Sequence, residues 1–261
     1  MLDNARPASL QSFPMTSTLP LQLDLLPGTL CDARLWTSLE QALGDGYLYK
    51  HLPLHRSRTR ADMRELIATH SAPRSHLVGF SLGAYLALEH AVHHPERIAS
   101  LTLIANSARG LPPDEIATRK RVIAMLERNS YAGITRQRLR ELLHPAHLDN
   151  AAITDLIRAM ALDLGKEVLL AQFAQTFDRP DLMDRLSGLP FPVLIVGSAG
   201  DQLVASGDLA AMAERLPRAT LHLLAEPSGH MIPLEAPAEL ARAMQDFLNV
   251  LPSGVQGQYQ R

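Results

Sequence analysis

The feature that most constrains the fold is an alternation along the chain. Short, strand-like and mostly apolar runs at residues 21–26, 76–80, 98–104, 193–196 and 220–224 are separated by stretches of helical periodicity. Largely apolar runs of this kind suit strands buried on both faces. The stretches between them, 32–43, 61–70, 82–93 and 207–216, have the length of crossover helices. Residues 237–249 put Leu240, Met244, Phe247 and Leu248 on one helical face. The pattern predicts an α/β fold: a mainly parallel sheet flanked by helices.

From residue 109 to 189 the pattern changes to helices without strands, and it returns to strand at Pro190 and Pro192. Proline cannot donate to a ladder, so both fit the entrance of a strand. The expected organisation is therefore a core of residues 21–108 and 190–251 interrupted by a helical insertion at 109–189. Flexible tails are expected at 1–20 and 252–261. The 261 residues suffice for one such core.

Charge and cysteine content exclude several classes. A net charge of −2 gives no basic excess for holding nucleic-acid phosphates. The single cysteine, Cys31, cannot form an intramolecular disulfide, so nothing points to an oxidising compartment. The first twenty residues lack the basic and apolar regions of a signal peptide. No apolar run approaches a membrane span, and the expected location is cytoplasmic.

The chemistry is written at Gly79-Phe80-Ser81-Leu82-Gly83, a G-x-S-x-G between an apolar run and a helical stretch. A sharp turn there lifts the serine off the strand end, and Gly79 and Gly83 give backbone and helix room to approach. The helix that follows points unsatisfied N–H groups at the serine, so the Leu82 N–H is a candidate oxyanion donor. A serine hydroxyl needs a base that is itself oriented by a third group. After the run at 193–196 comes Asp201, and after 220–224 comes His230, both where a parallel sheet presents its carboxyl ends. The order Ser81, Asp201, His230 is that of a nucleophile, acid and base on this kind of sheet. Glu226 competes with Asp201 for the acid role; Asp201 is favoured because it stands at the end of its own strand. The second oxyanion donor should come from the Pro27-Gly28-Thr29-Leu30 loop, from Thr29 with Leu30 as the alternative.

These segments, LLPGTLCDARLW, VGFSLGAYLALEHAVHHPERI, VGSAGDQLV and SGHMIPLEAPAEL, resemble the α/β-hydrolase superfamily from about residue 21 to 251. The resemblance implies an eight-stranded, mainly parallel sheet and a helical cap over the active site. It also implies Ser81 at a nucleophile elbow, Asp201 as acid, His230 as base, and Thr29 and Leu82 as oxyanion donors. Many members have His-Gly where this chain has Pro27-Gly28, so the side-chain brace of that histidine is missing. Ala205 stands where relatives often have proline, which is expected to loosen the acid loop. A serine at position 81 argues against the branches in which aspartate attacks.

The expected activity is hydrolysis of a carboxylic ester of a small molecule, with neither metal nor organic cofactor. Thioester, lactone and carbon–carbon cleavage are alternatives on the same triad, and a non-catalytic small-molecule binding protein is the alternative of another class. Arg119, Lys120, Arg121, Arg128, Arg136, Arg138 and Arg140 suggest an anionic substrate or an acidic carrier protein, but an exposed basic helix face is the simpler reading. Met125, Met160, Phe173, Phe177 and Met183 are either an acyl pocket or helix packing. His90 and His94 stand four apart without a third metal ligand. Cys31 is expected to be a small buried side chain rather than a reactive thiol.

Overall fold

The structure, a computed structural model, describes residues 20–251, and the tails expected at 1–20 and 252–261 lie, apart from Pro20, outside the described residues. Strand β1 (Leu21–Leu26) is followed by α1 (Thr37–Leu43), β2 (Tyr47–His51), α2 (Arg60–His70), β3 (Ser75–Phe80), α3 (Leu82–His93) and β4 (Ile98–Ile104). Three helices come next, α4 (Pro113–Arg128), α5 (Arg136–Leu142) and α6 (Ala151–Ala174). The chain then returns through β5 (Val193–Ser198), α7 (Ser206–Arg215) and β6 (Ala219–Leu224), and ends in α8 (Ile232–Glu235) and α9 (Pro237–Asn249).

The strands form one sheet in the order β2-β1-β3-β4-β5-β6, and every neighbouring pair is parallel. Among the described residues the sheet has six strands, which corrects the expected eight. Eight came with the family resemblance and not from apolar runs; every other described segment is helix, turn or loop. The sixth strand, β2, has no continuous apolar run because it is an edge. Its sequence YLYKH alternates half-buried and exposed positions, as an edge strand with one covered face should. The central strands β3, β4 and β5 are buried at every residue.

Two apolar layers sandwich the sheet. Leu39 and Leu43 of α1 pack with Leu240, Met244 and Phe247 of α9 on one face. Met63 and Ile67 of α2, Leu86 of α3 and Leu209 of α7 pack on the other. Strand order reverses between β1 and β3, so the loops leaving these strands diverge to opposite faces and open a crevice at their carboxyl ends. Ser81 stands at the end of β3 and Thr29 just beyond the end of β1.

The helices between β4 and β5 build a small apolar cluster of their own from Leu126, Ala161, Val168 and Leu169, which also takes in Leu30. Helix α6 is broken at Gly165, whose φ of 77° interrupts the helical geometry. Such a backbone favours glycine. No helix among the described residues is long and apolar enough to cross a membrane.

Candidate active site

Ser81 owes its position to a strained turn. Its φ of 51° and ψ of −114° lie outside the helical and extended regions, an arrangement that persists only when the surroundings hold it. They do so from three sides. The Ser81 N–H donates to the Ile104 carbonyl of β4 at 2.9 Å, and the Ser81 carbonyl accepts from Tyr85 N–H at 3.0 Å as α3 begins. A Cβ on Gly79 would sit far inside van der Waals contact with the Ala84 backbone, and one on Gly83 would do the same against the Leu26 carbonyl. The two glycines are what let strand, elbow and helix close on one another.

Asp201 and His230 arrive on the loops after β5 and β6. His230 Nε2 lies 2.9 Å from Ser81 Oγ, and His230 Nδ1 lies 2.8 Å from Asp201 Oδ2. Both side chains are almost wholly withdrawn from solvent, at 5% exposure for His230 and 1% for Asp201. The other carboxylate oxygen of Asp201 accepts the Leu203 and Val204 N–H groups at 2.8 and 3.1 Å. The loop is thereby fixed although position 205 is alanine. Phe80 packs its ring against the His230 imidazole with centroids 5.2 Å apart. Glu226 is turned away: it is exposed and pairs with Arg242 at 3.0 Å.

The loop after β1 supplies two N–H groups, and they differ. The Leu30 N–H donates to Gln172 Oε1 at 2.9 Å. The Thr29 N–H has no partner among the described residues. Leu82, the first residue of α3, also precedes any intrahelical partner for its N–H. Of the two residues expected on this loop, Thr29 is the one left free to donate.

A sequence profile described as the alpha/beta hydrolase family matches residues 25–243. The chain belongs to the alpha/beta hydrolase family. Similar members include a 2-hydroxy-6-oxononadienedioate/2-hydroxy-6-oxononatrienedioate hydrolase of Burkholderia vietnamiensis, 26% identical over 67% of this chain. The chain spans 62% of that relative's length. A putative carbamate hydrolase RutD of Pseudomonas savastanoi pv. phaseolicola is 31% identical over 67% of this chain and 68% of its own. Among solved structures, a thermophilic esterase from Thermogutta terrifontis shares the fold with a TM-score of 0.77 at 22% identity, covering 91% of each chain.

Several side chains that hold this hydrolase-fold site together were not apparent from the sequence. Ser198 Oγ donates to the Ser228 carbonyl and accepts the Gly200 N–H at 3.0 Å, tying the Asp201 and His230 loops to each other. Glu235, at 6% exposure, accepts from the Gly229 N–H at 2.9 Å and from the His144 N–H at 2.7 Å. Burial holds its carboxyl above the ordinary range, with the N–H donors opposing. The His230 N–H donates to the Leu142 carbonyl at 2.8 Å, so the histidine loop is stitched to the end of α5. Gln172 was missed for a plain reason: a glutamine in a helix carries no pattern until the tertiary contact is seen.

Other expectations resolve in the same view. Arg138 pairs with Glu141 at 2.8 Å on a half-exposed helix face, whereas Arg119, paired with Glu115 at 2.8 Å, is largely buried over the Phe173 ring. Met160 and Met183 are core residues of the two sheet layers, whereas Met125 is 54% exposed. The His90 and His94 rings pack 4.9 Å apart, and no group of three or more metal-ligating side chains occurs among the described residues. Cys31 is buried, and desolvation pushes its thiol up to about 12.

Proposed function

We propose that this protein is a serine hydrolase that cleaves a carboxylic ester, or a closely related acyl bond, of a small molecule through an acyl-enzyme on Ser81. The observation that carries the reading is the unbroken hydrogen-bonded line from Ser81 Oγ through the His230 imidazole to the Asp201 carboxylate. The proposed nucleophile, base and orienting acid stand within bonding reach of one another.

In the proposed reaction His230 Nε2 takes the Ser81 hydroxyl proton as Oγ bonds to the substrate carbonyl carbon. The carbonyl electron pair moves onto its oxygen, which the Thr29 and Leu82 N–H groups receive at the positive end of α3. Collapse breaks the bond to the leaving group, which departs with the proton from His230. Water then attacks the acyl-enzyme, gives a proton to His230 and releases the acid, and the proton returns to Ser81 Oγ. Asp201 keeps the proton-bearing nitrogen of the imidazole at Nδ1 and stabilises the imidazolium. The helices of residues 109–189 act as a cap over the crevice and select the substrate.

The test is a fluorophosphonate probe and a short-chain p-nitrophenyl ester, applied to the protein and to Ser81→Ala, with the adduct located by peptide mass spectrometry. Labelling at Ser81, with turnover reduced by several orders of magnitude in the variant, is the expected result. A folded protein that neither labels nor turns over esters, thioesters, lactones or a 2-hydroxy-6-oxo-dienedioate would overturn the reading in favour of small-molecule binding without catalysis.

A further inference from the structure

Leu30 belongs to two parts of the molecule at once. Its backbone follows β1 in the sheet core, yet its side chain is buried in the cap cluster with Leu126, Ala161, Val168 and Leu169 and not in either sheet layer. Its φ of 53° is one that side-chain-bearing residues rarely adopt, so contacts must hold it there. The polar contact is the bond from the Leu30 N–H to Gln172 Oε1, across 142 residues of sequence. Gln172 is 1% exposed and is itself anchored. Its backbone carbonyl accepts the Thr176 hydroxyl at 2.6 Å, and Thr176 Oγ1 accepts from Arg119 Nη1 at 3.2 Å. On the core side of the loop Pro27 offers neither an N–H nor a polar side chain to do the same work.

We propose that Gln172 is a positioning residue through which the cap sets the oxyanion loop: by holding the Leu30 N–H it turns the adjoining Thr29 N–H toward the oxygen above Ser81. The assignment rests on the acyl-transfer reading of the Ser81 site. Its consequence is that the oxyanion site is complete only while the second half of α6 is seated on the loop, so acyl transfer is confined to the closed form. Packing alone does not account for a glutamine here. Nε2 of the same amide is buried without a partner among the described residues, a cost that leucine or methionine would avoid. What those residues lack is the acceptor.

The experiment compares the wild type with Gln172→Met and Gln172→Leu, which fill the space without an acceptor. Asp163→Asn serves as control, because it weakens another contact between α6 and the core, the 2.8 Å pair with Arg34, without touching the Leu30 N–H. The readouts are kcat and KM on a p-nitrophenyl ester and the inhibition constant of a trifluoromethyl ketone, which forms an oxyanion adduct on serine. In both Gln172 variants kcat should fall about 10- to 100-fold, ketone affinity should fall by a similar factor, and KM should stay within about twofold. Asp163→Asn should leave kcat and ketone affinity near wild type. Wild-type kcat and ketone affinity in the Gln172 variants, a loss confined to KM, or an equal loss in Asp163→Asn would each overturn the proposal. An active wild type labelled at Ser81 but indifferent to Gln172→Met sinks this assignment alone; a wild type with no activity and no labelling sinks the hydrolase reading beneath it.

Discussion

Gly83, in the first turn of α3, lies directly against the backbone oxygen of Leu26 at the end of β1, so close that a single added methyl group would have no room. The neighbour is backbone in the middle of the sheet and cannot swing aside as a flexible side chain would. Gly83→Ala should therefore destabilise the fold by about 3 kcal/mol or more, the upper end for overpacking. It should also displace Ser81 from His230. Urea unfolding and Ser81 labelling read the two effects; a variant with wild-type stability would show that α3 can retreat from β1.

The choice of acid is testable by a pair of substitutions. Asp201→Asn keeps the shape of the side chain but favours the wrong imidazole tautomer, and kcat should fall about 10⁴-fold. Glu226→Gln alters only an exposed pair with Arg242, and kcat should stay within about twofold of wild type. The reverse ranking would move the acid role to Glu226.

How far the sequence carried the description depends on where each signal lives. Strand β4 and helices α3 and α9 have the expected bounds because buried apolar runs and one-sided helical faces are local patterns. That Ser81, Asp201 and His230 would meet was legible because each follows a strand, and a parallel sheet brings such strand ends together wherever they fall in the chain. Strand β2 was not legible, since an edge strand of five residues carrying Lys50 and His51 looks like a loop until its neighbour is known. Gln172, Glu235 and Ser198 were hidden for a different reason: each acts by a bond to a backbone group on another loop, and single polar residues leave no periodic trace.

Glu235 offers a test of that bracing. Its carboxylate accepts one N–H from each side, Gly229 beside His230 and His144 beyond α5. Glu235→Gln keeps the volume but turns one acceptor into a donor facing an N–H. The expected cost is about 1–3 kcal/mol of stability, from a buried group left unsatisfied. The His230 loop should loosen with it, so kcat should fall more than KM rises. Unchanged unfolding and kinetics would mean that the His230 bond to Leu142 holds the loop unaided.

Cys31 is a built-in probe of the loop that carries Thr29. Its thiol is buried and pushed up to about 12 by desolvation, with the Asp32 carboxylate adding to the shift. Only the thiolate reacts, so a disulfide reagent at pH 8 should leave the native protein untouched and label it stoichiometrically in denaturant. Rapid labelling of the native protein would show that the loop opens in the resting state.

His90 should make the fold sensitive to mild acid. Burial holds its imidazole down at about 4 against an ordinary 6.5, and the charges of His94, Arg97, His93 and Arg64 push the same way. The native state therefore keeps the ring neutral where the unfolded chain would bind a proton. Between those two values the unfolded state takes up more protons, so stability rises with pH across the window and falls as acid is added. The full effect is roughly 3 kcal/mol at most, reached near pH 4 and absent above about pH 7. In His90→Gln this contribution disappears. Urea midpoints taken from pH 7 to pH 4 should fall less steeply in the variant than in the wild type; parallel slopes would show that His90 carries no share of the acid sensitivity.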